Sequence, residues 1–304
     1  MALPLHCPLC EADHNLIFPV TRHVYGSIQQ DRAFYSCLNC QVIFQYPNLT
    51  EAELSQFYRD EFEAFMNKRC DDKNLWANAA SHCEANSHHY DRRLPFFSHL
   101  LFDNCRVLEY GCSSGFMLYP LLKQKNEVHG IEPSGYFSEF SSSQGITIHH
   151  PDSIFCNAYS NYFDLILHFF VFEHVINPID FLKSQIKLLK PGGSILFEVP
   201  CSNDPLFKIF DIPEFERFYF SVAHPWYFNK TSLTYVLDKL DLKYKLYPHQ
   251  RYDFSNHFIW AFNRKPGGMS RYAPFFSDQF NQSYKTELER SGFCDTYFVE
   301  ITNS

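Results

Sequence analysis

The sequence of 304 residues predicts an α/β fold, an open and mainly parallel sheet with helices on both faces, behind a small cysteine-based ribbon. Three observations predict it. Residues 107–115 read VLEYGCSSG, a short apolar strand entering a glycine turn, and FMLYPLL follows at helical spacing. From Cys105 onward, strand-like apolar runs alternate with helix-like segments, the pattern of a parallel sheet. Near the amino end, Cys7 and Cys10 form one C-x2-C pair, and Cys37 and Cys40 form another.

The elements follow in order. Thr50, with Glu53 three residues later, has the form of a capping box that starts a helix ending in Tyr58. Residues 60–105 read as helices leading to the first sheet strand. Within them, SHCEANSHHYDRR carries His82, Cys83, His88 and His89; without a complete ligand set, this reads as a polar helix face near the mouth of a site. Strands are predicted over 106–110, 128–132, 146–149, 163–169 and 194–199, and helices over 116–125, 136–144 and 178–189. Lys190-Pro191-Gly192-Gly193 reads as the helix-stop turn before the fifth strand. Residues 201–228 break the alternation with nine aromatics between Phe207 and Phe228. A helix over 230–240 follows, and residues 242–247 and 257–262 are expected to close the sheet as an antiparallel pair.

The glycine turn points to a ligand. Such a turn presents backbone N–H groups at the carboxyl edge of a parallel sheet. Glu109 ends the first strand beside Gly111 and Gly115, and Glu132 ends the second. An acid there can accept both ribose hydroxyls of an adenosine-type cofactor. The spacing is G-x-x-x-G rather than G-x-G-x-x-G, with no third glycine for a pyrophosphate, which favours a nucleoside cofactor without phosphates.

VLEYGCSSG, GIEPS, FDLILHFFVFEHVINP and LLKPGGSILFEVP, taken together and in this order, resemble the successive motifs of class I S-adenosylmethionine-dependent methyltransferases. The resemblance implies a Rossmann-like, seven-stranded sheet and S-adenosylmethionine as cofactor. It assigns cofactor contacts to Glu109, Gly111, Cys112, Ser113, Gly115, Phe116, Glu132, Pro133, Asp152, Ser153, His168 and Phe169. Ser113 stands where the family usually has its middle glycine.

The two cysteine pairs can point four thiolates at one tetrahedral ion with bonds of ~2.3 Å, leaving no position for water. Cys7, Cys10, Cys37 and Cys40 are therefore expected to hold a structural zinc. The ribbon with CLNCQVIFQYPNLTEAELSQFY is also similar to sugar C-methyltransferases and related methyltransferases of saccharide and natural-product pathways. The domain reading is a ribbon over 1–60, a helical linker over 61–105, a cofactor domain over 106–265 with its aromatic insertion at 201–228, and a tail over 266–304.

Composition narrows the partners. The formal net charge is −8, and residues 1–50 carry two arginines against three acids. That balance argues against nucleic acid as partner, and with it against a zinc-ribbon RNA methyltransferase. The start MALPLHCPLC lacks the features of a signal peptide, and no apolar run approaches ~18 residues, so a cytoplasmic chain without a membrane partner is expected.

The acceptor is expected to be a small molecule, a sugar or nucleotide-sugar. Residues 201–228 read either as a hydrophobic lid or as an aromatic substrate wall. AHPWYFN resembles the HEHxxYFS stretch of sugar C-methyltransferases, keeping His224, Tyr227 and Phe228. Val222 and Ala223 replace its first histidine and its glutamate, which favours N- or O-methylation over C-methylation. His224 is the candidate general base and His174 the next. A non-catalytic scaffold is disfavoured by the intact Glu109, Gly111 and Glu132.

Overall fold

The structure, a computed structural model, describes residues 3–27, 31–69, 78–150 and 157–303. Its strands are β1 (Ile17–Thr21), β2 (Ala33–Cys37), β3 (Ile43–Tyr46), β4 (Arg106–Tyr110), β5 (Glu127–Ile131), β6 (Thr147–His149), β7 (Phe163–Phe169), β8 (Leu189–Pro200), β9 (Trp226–Tyr227), β10 (Lys243–His249) and β11 (Thr296–Thr302). They form two sheets.

The larger sheet has the order β6-β5-β4-β7-β8-β11-β10. Its strands from β4 to β8 pair in parallel, and β11 runs antiparallel to both of its neighbours. β4 and β7 lie at the centre, covered on both faces, which is why they read as nearly unbroken apolar runs. Strand order reverses at β4, which has β5 on one side and β7 on the other. The crevice at the carboxyl ends of those strands is where an open α/β sheet takes its ligand. Helices on the flanks start where the sequence caps them. Asn177 accepts the Asp180 N–H ahead of helix Pro178–Ile186, with Pro178 in its first turn. Asn229 and Ser232 make a reciprocal box at helix Lys230–Asp238. The Thr50–Glu53 box is also formed.

The smaller sheet has the order β1-β2-β3-β9. Its fourth strand comes from the aromatic insertion, with Ile43 opposite Tyr227 and Phe44 opposite Trp226. Tyr25 bridges to Ser221 beside it. Phe34, Phe57, Phe65, Phe220, Val222, Ala223 and Tyr227 form one buried cluster here. The insertion therefore spends most of its aromatic surface on joining the ribbon to the large sheet. Phe220, Tyr227 and Phe228 are fully buried, while Phe218 and Tyr219 are partly open.

Two expectations about the chain are corrected. Residues 257–262 are not a strand: they lie inside helix Phe254–Asn263, whose N-terminus is capped by Asp253 accepting the Asn256 N–H. β11, from the tail expected beyond 266, closes the sheet instead, wedged between β8 and β10. Local composition could not tell the two apart, because the aromatic run suits either state and the pairing is long-range. Lys190–Gly193 also lies within β8 rather than before it, held where Gly192 donates to the Asn303 carbonyl at 2.6 Å.

Candidate active site

The glycine turn is built around backbone that other residues avoid. Gly111 has φ +68°, and a Cβ there would lie 2.7 Å from Val171 Cγ2. Gly115 has φ +74°, and a Cβ would lie 2.5 Å from Ile146 Cδ1. Ser113 also takes a positive φ, 49°, and its buried hydroxyl has no hydrogen-bond partner in the structure. The main-chain N–H of Ser113 donates to Glu132 Oε2 at 2.8 Å, and that of Ser134 to Oε1 at 2.8 Å. The carboxylate of Glu132 is thus fixed at the turn, one residue past β5.

Glu109 lies beneath the turn. It is buried, and its Oε2 finds no donor. Burial pushes its carboxyl up to about 8, with Arg93 pulling down and Glu132 pushing further up. An unpaired buried carboxyl is expensive unless a positive partner arrives, so the position suits the ammonium of a ligand.

Two helices, Ala79–Asn86 and His88–Phe97, cover this edge. His82 Nδ1 meets Ser114 Oγ at 2.8 Å, and burial holds that imidazole down at about 4. Arg92 grips Glu198 of β8 with two bonds of 2.8 Å, and Arg93 Nε adds a third at 3.0 Å. Burial opposes ionisation of Glu198, but the two guanidiniums win and hold it at about 2. The Arg93 guanidinium also lies 4.2 Å over the Phe169 ring. These arginines are functional candidates that the polar-face reading of the segment passes over. An acid inside the buried strand SILFEVP was the available signal, since it demands a cation, and YDRR offers two.

The expected cofactor residues divide. Glu109, Gly111, Ser113, Gly115 and Glu132 converge on the turn, with Phe116 and Pro133 beside them in the chain. Cys112 does not face the opening; it is buried, and its Sγ occupies the space over Gly130. His168 is corrected to a core residue. It is fully buried and stacked on Phe197 at 4.5 Å and 10°. Burial pushes it down to about 3 and keeps it neutral. Strand alternation sends it to the opposite face from Leu167 and Phe169, among Phe172 and Phe181. Asp152 and Ser153 lie outside the described residues.

The two candidate bases come together. His174 ends the turn Phe172–His174 just after β7, and His224 belongs to the insertion; their ring centroids are 4.6 Å apart at 78°. His174 Nδ1 lies 2.6 Å from the Ala223 carbonyl, with the Tyr58 hydroxyl 2.5 Å away. A carbonyl can only accept, so Nδ1 carries the proton and Nε2 keeps its lone pair. Burial holds His174 at about 4, and it depresses His224 well below the usual range, helped by His174 and Arg69. Glu173, which sequence reasoning passed over, joins them. Its carboxyl is buried and pushed up to about 8.

At the amino end, the four sulfurs lie within 4.8 Å of one another. Cys7 and Cys40 are 3.7 Å apart, and Cys10 and Cys37 are 3.6 Å apart. Bonds of ~2.3 Å to a tetrahedral ion require sulfurs ~3.8 Å apart. The residue after each pair, Glu11 and Gln41, has φ 60°. Each donates back to the first cysteine's carbonyl, at 2.9 and 2.8 Å, so the two turns are built alike. A hydrogen bond from Cys40 draws Cys7 down to about 5 and raises Cys40, as expected of thiols crowded into one cage.

A family model described as a methyltransferase domain matches residues 82–245. A ubiquinone biosynthesis O-methyltransferase of Roseobacter denitrificans is 32% identical over 98 residues, 30% of this chain and 40% of that protein. One of Cereibacter sphaeroides is 29% identical over 113 residues, 35% and 45% respectively. The match thus spans less than half the length of these curated relatives. A crystal structure of a SAM-dependent methyltransferase from Archaeoglobus fulgidus aligns over 80% of this chain and 100% of its own, at 16% identity and a TM-score of 0.51. That likeness concerns the fold. Among the described residues, no helix is long and apolar enough to cross a membrane.

Proposed function

The chain belongs to the methyltransferase-domain family, and from that premise we propose that it moves a methyl group from S-adenosylmethionine to a hydroxyl of a small molecule. The observation that supports this best is the seating of Glu132 at the glycine turn by two backbone N–H groups. Its carboxylate, held at the end of β5, is proposed to accept the two ribose hydroxyls. Gly111, Ser113 and Gly115 form the backbone cradle, and Glu109 takes the methionine ammonium. Phe116, Pro133, Phe169, Asp152 and Ser153 are proposed as further cofactor contacts. Cys7, Cys10, Cys37 and Cys40 are proposed to hold a structural zinc.

In the proposed reaction, the hydroxyl proton would pass to a histidine and on to solvent while the oxygen attacks the methyl carbon in line. S-adenosylmethionine, when bound, would supply the methyl group and depart as the neutral thioether, its sulfur keeping the electron pair of the carbon–sulfur bond. The positive charge disappears, so alignment and desolvation supply most of the rate. His224 and His174 are proposed to activate the acceptor, since their neutral rings face each other where the insertion overhangs the sheet edge. Nucleotide sugars are the first acceptors proposed, from the AHPWYFN stretch. Phenolic acceptors belong in the same panel because the named relatives are O-methyltransferases.

Glu132→Ala should weaken S-adenosylmethionine binding by about 1–3 kcal/mol, the cost of a lost charged acceptor. Unchanged affinity by calorimetry would reject the ribose contact. Glu109 supplies a pH test. Its raised pKa means that the folded chain is favoured by protonation, and that this contribution fades as pH rises through about 8. An ammonium at Glu109 needs the ionised form, so binding should release a proton. Affinity should then rise by up to ~tenfold per pH unit between about 6 and 8. Glu109→Gln should flatten that slope; a flat wild-type profile would exclude the ammonium contact.

A further inference from the structure

We propose that Glu173, His174 and His224 form a second metal site, which holds one divalent transition-metal cation beside the acceptor hydroxyl. The inference deepens the acceptor-side reading above and rests on it for its chemical role. One ligand atom from each residue lies within 4.8 Å of the others. Glu173 Oε1 is 3.9 Å from His174 Nε2. Bonds of ~2.1 Å hold neighbouring ligands ~3.0–3.4 Å apart, so the Glu173–His174 pair would close by less than ~1 Å around an ion.

The donor atoms are prepared. Glu173 is 1% exposed, and its Oε2 has no hydrogen-bond partner. His224 Nδ1 is also buried without a partner. The Ala223 carbonyl fixes the His174 tautomer that leaves Nε2 free to bind, the usual arrangement behind a metal-ligating imidazole. Both rings are neutral, as ligation requires. His174 keeps 15% of its side chain exposed, so the cluster is not fully sealed from solvent.

The place also fits. Val171, two residues before Glu173, is the side chain that a Cβ on Gly111 would strike, so the cluster lies next to the cofactor turn. Two imidazoles and one carboxylate make a donor set suited to zinc, iron, cobalt or manganese rather than to calcium. Three protein ligands leave positions open, unlike the closed cage of four cysteines. A cation there would lower the cost of removing the acceptor's proton.

The test is equilibrium dialysis of the full chain, first brought to one zinc per chain so that only the cysteine cage is filled, against Co²⁺, read by metal analysis and absorption. One cobalt per chain should bind beyond the metal in the cysteine cage, with weak d–d bands and no thiolate charge-transfer band. Glu173→Gln and His224→Ala should each weaken its binding by about tenfold or more, with native circular dichroism and unchanged S-adenosylhomocysteine affinity. Absence of this cobalt from the wild type overturns the proposal. So does equal uptake by both folded variants. If cobalt binds but no hydroxyl compound is methylated, the acceptor reading fails and the metal site stands. If an acceptor is methylated at full rate after the second metal is removed with a chelator, the site's role in activation is overturned.

Discussion

Cys37→Ser should empty the amino-terminal cage and destabilise the chain by several kcal/mol. Structural zinc in small peptide modules contributes ~10–16 kcal/mol of apparent binding energy, all of it available to folding. Removing one of four thiolates opens the coordination shell to water and leaves three crowded sulfurs without their counter-ion. Cys37 is also the last residue of β2 and opposes Ile17 of β1 in the register, so the loss enters the ribbon sheet directly. Through Ile43–Tyr227 and the Phe34–Phe220 contact at 5.0 Å, it extends to the insertion. Zinc content should fall from one per chain to near none, and the melting temperature should drop. Full metal content with unchanged melting would reject the cage.

His224→Ala should lower turnover by about 10²–10⁴ while leaving cofactor affinity unchanged. A His224 that activates the hydroxyl, as the ligand proposed above or as a lone proton acceptor, acts after the cofactor is bound. Its ring contacts are His174 at 4.6 Å and Tyr227 at 5.4 Å, and none involves the glycine turn. The loss should therefore appear in kcat. Its backbone bond to the Ser221 carbonyl survives the substitution, so the loop keeps its path. Near-normal turnover would make His224 a packing residue and pass the role to His174.

Much of this was readable from residues because it is local. β4, the glycine turn and the acids at Glu109 and Glu132 fall within one strand–turn–helix unit each, and their spacing carries the chemistry. The cysteine cage was readable because C-x2-C geometry is set inside four residues. What escaped depends on pairs far apart in the chain. Glu198 reads as one odd acid in an apolar strand until Arg92 and Arg93 are seen to surround it. Glu173 attracts no notice in the sequence until the insertion brings His224 across. His168 sits in the right strand, but the pleat turns it inward. β11 was missed because a strand of alternating Thr, Tyr, Phe, Val and Ile announces itself without saying which neighbours it will take.

The position of β11 has a consequence for synthesis. Of the strands described it is the last to be made, yet it lies between β8 and β10. Until residue 302 emerges, β8 has a bare edge and β10 has no partner strand in the large sheet. The ribbon waits too, because β3, already paired with β2, meets its second neighbour β9 only after Tyr227 is made. The nascent chain thus carries bare strand edges through much of its translation, the state most open to pairing with another chain. A ribosome stalled before residues 296–302 have emerged would display that open sheet, and chaperones that recognise exposed β-edges should cross-link to such stalled chains and not to the released protein.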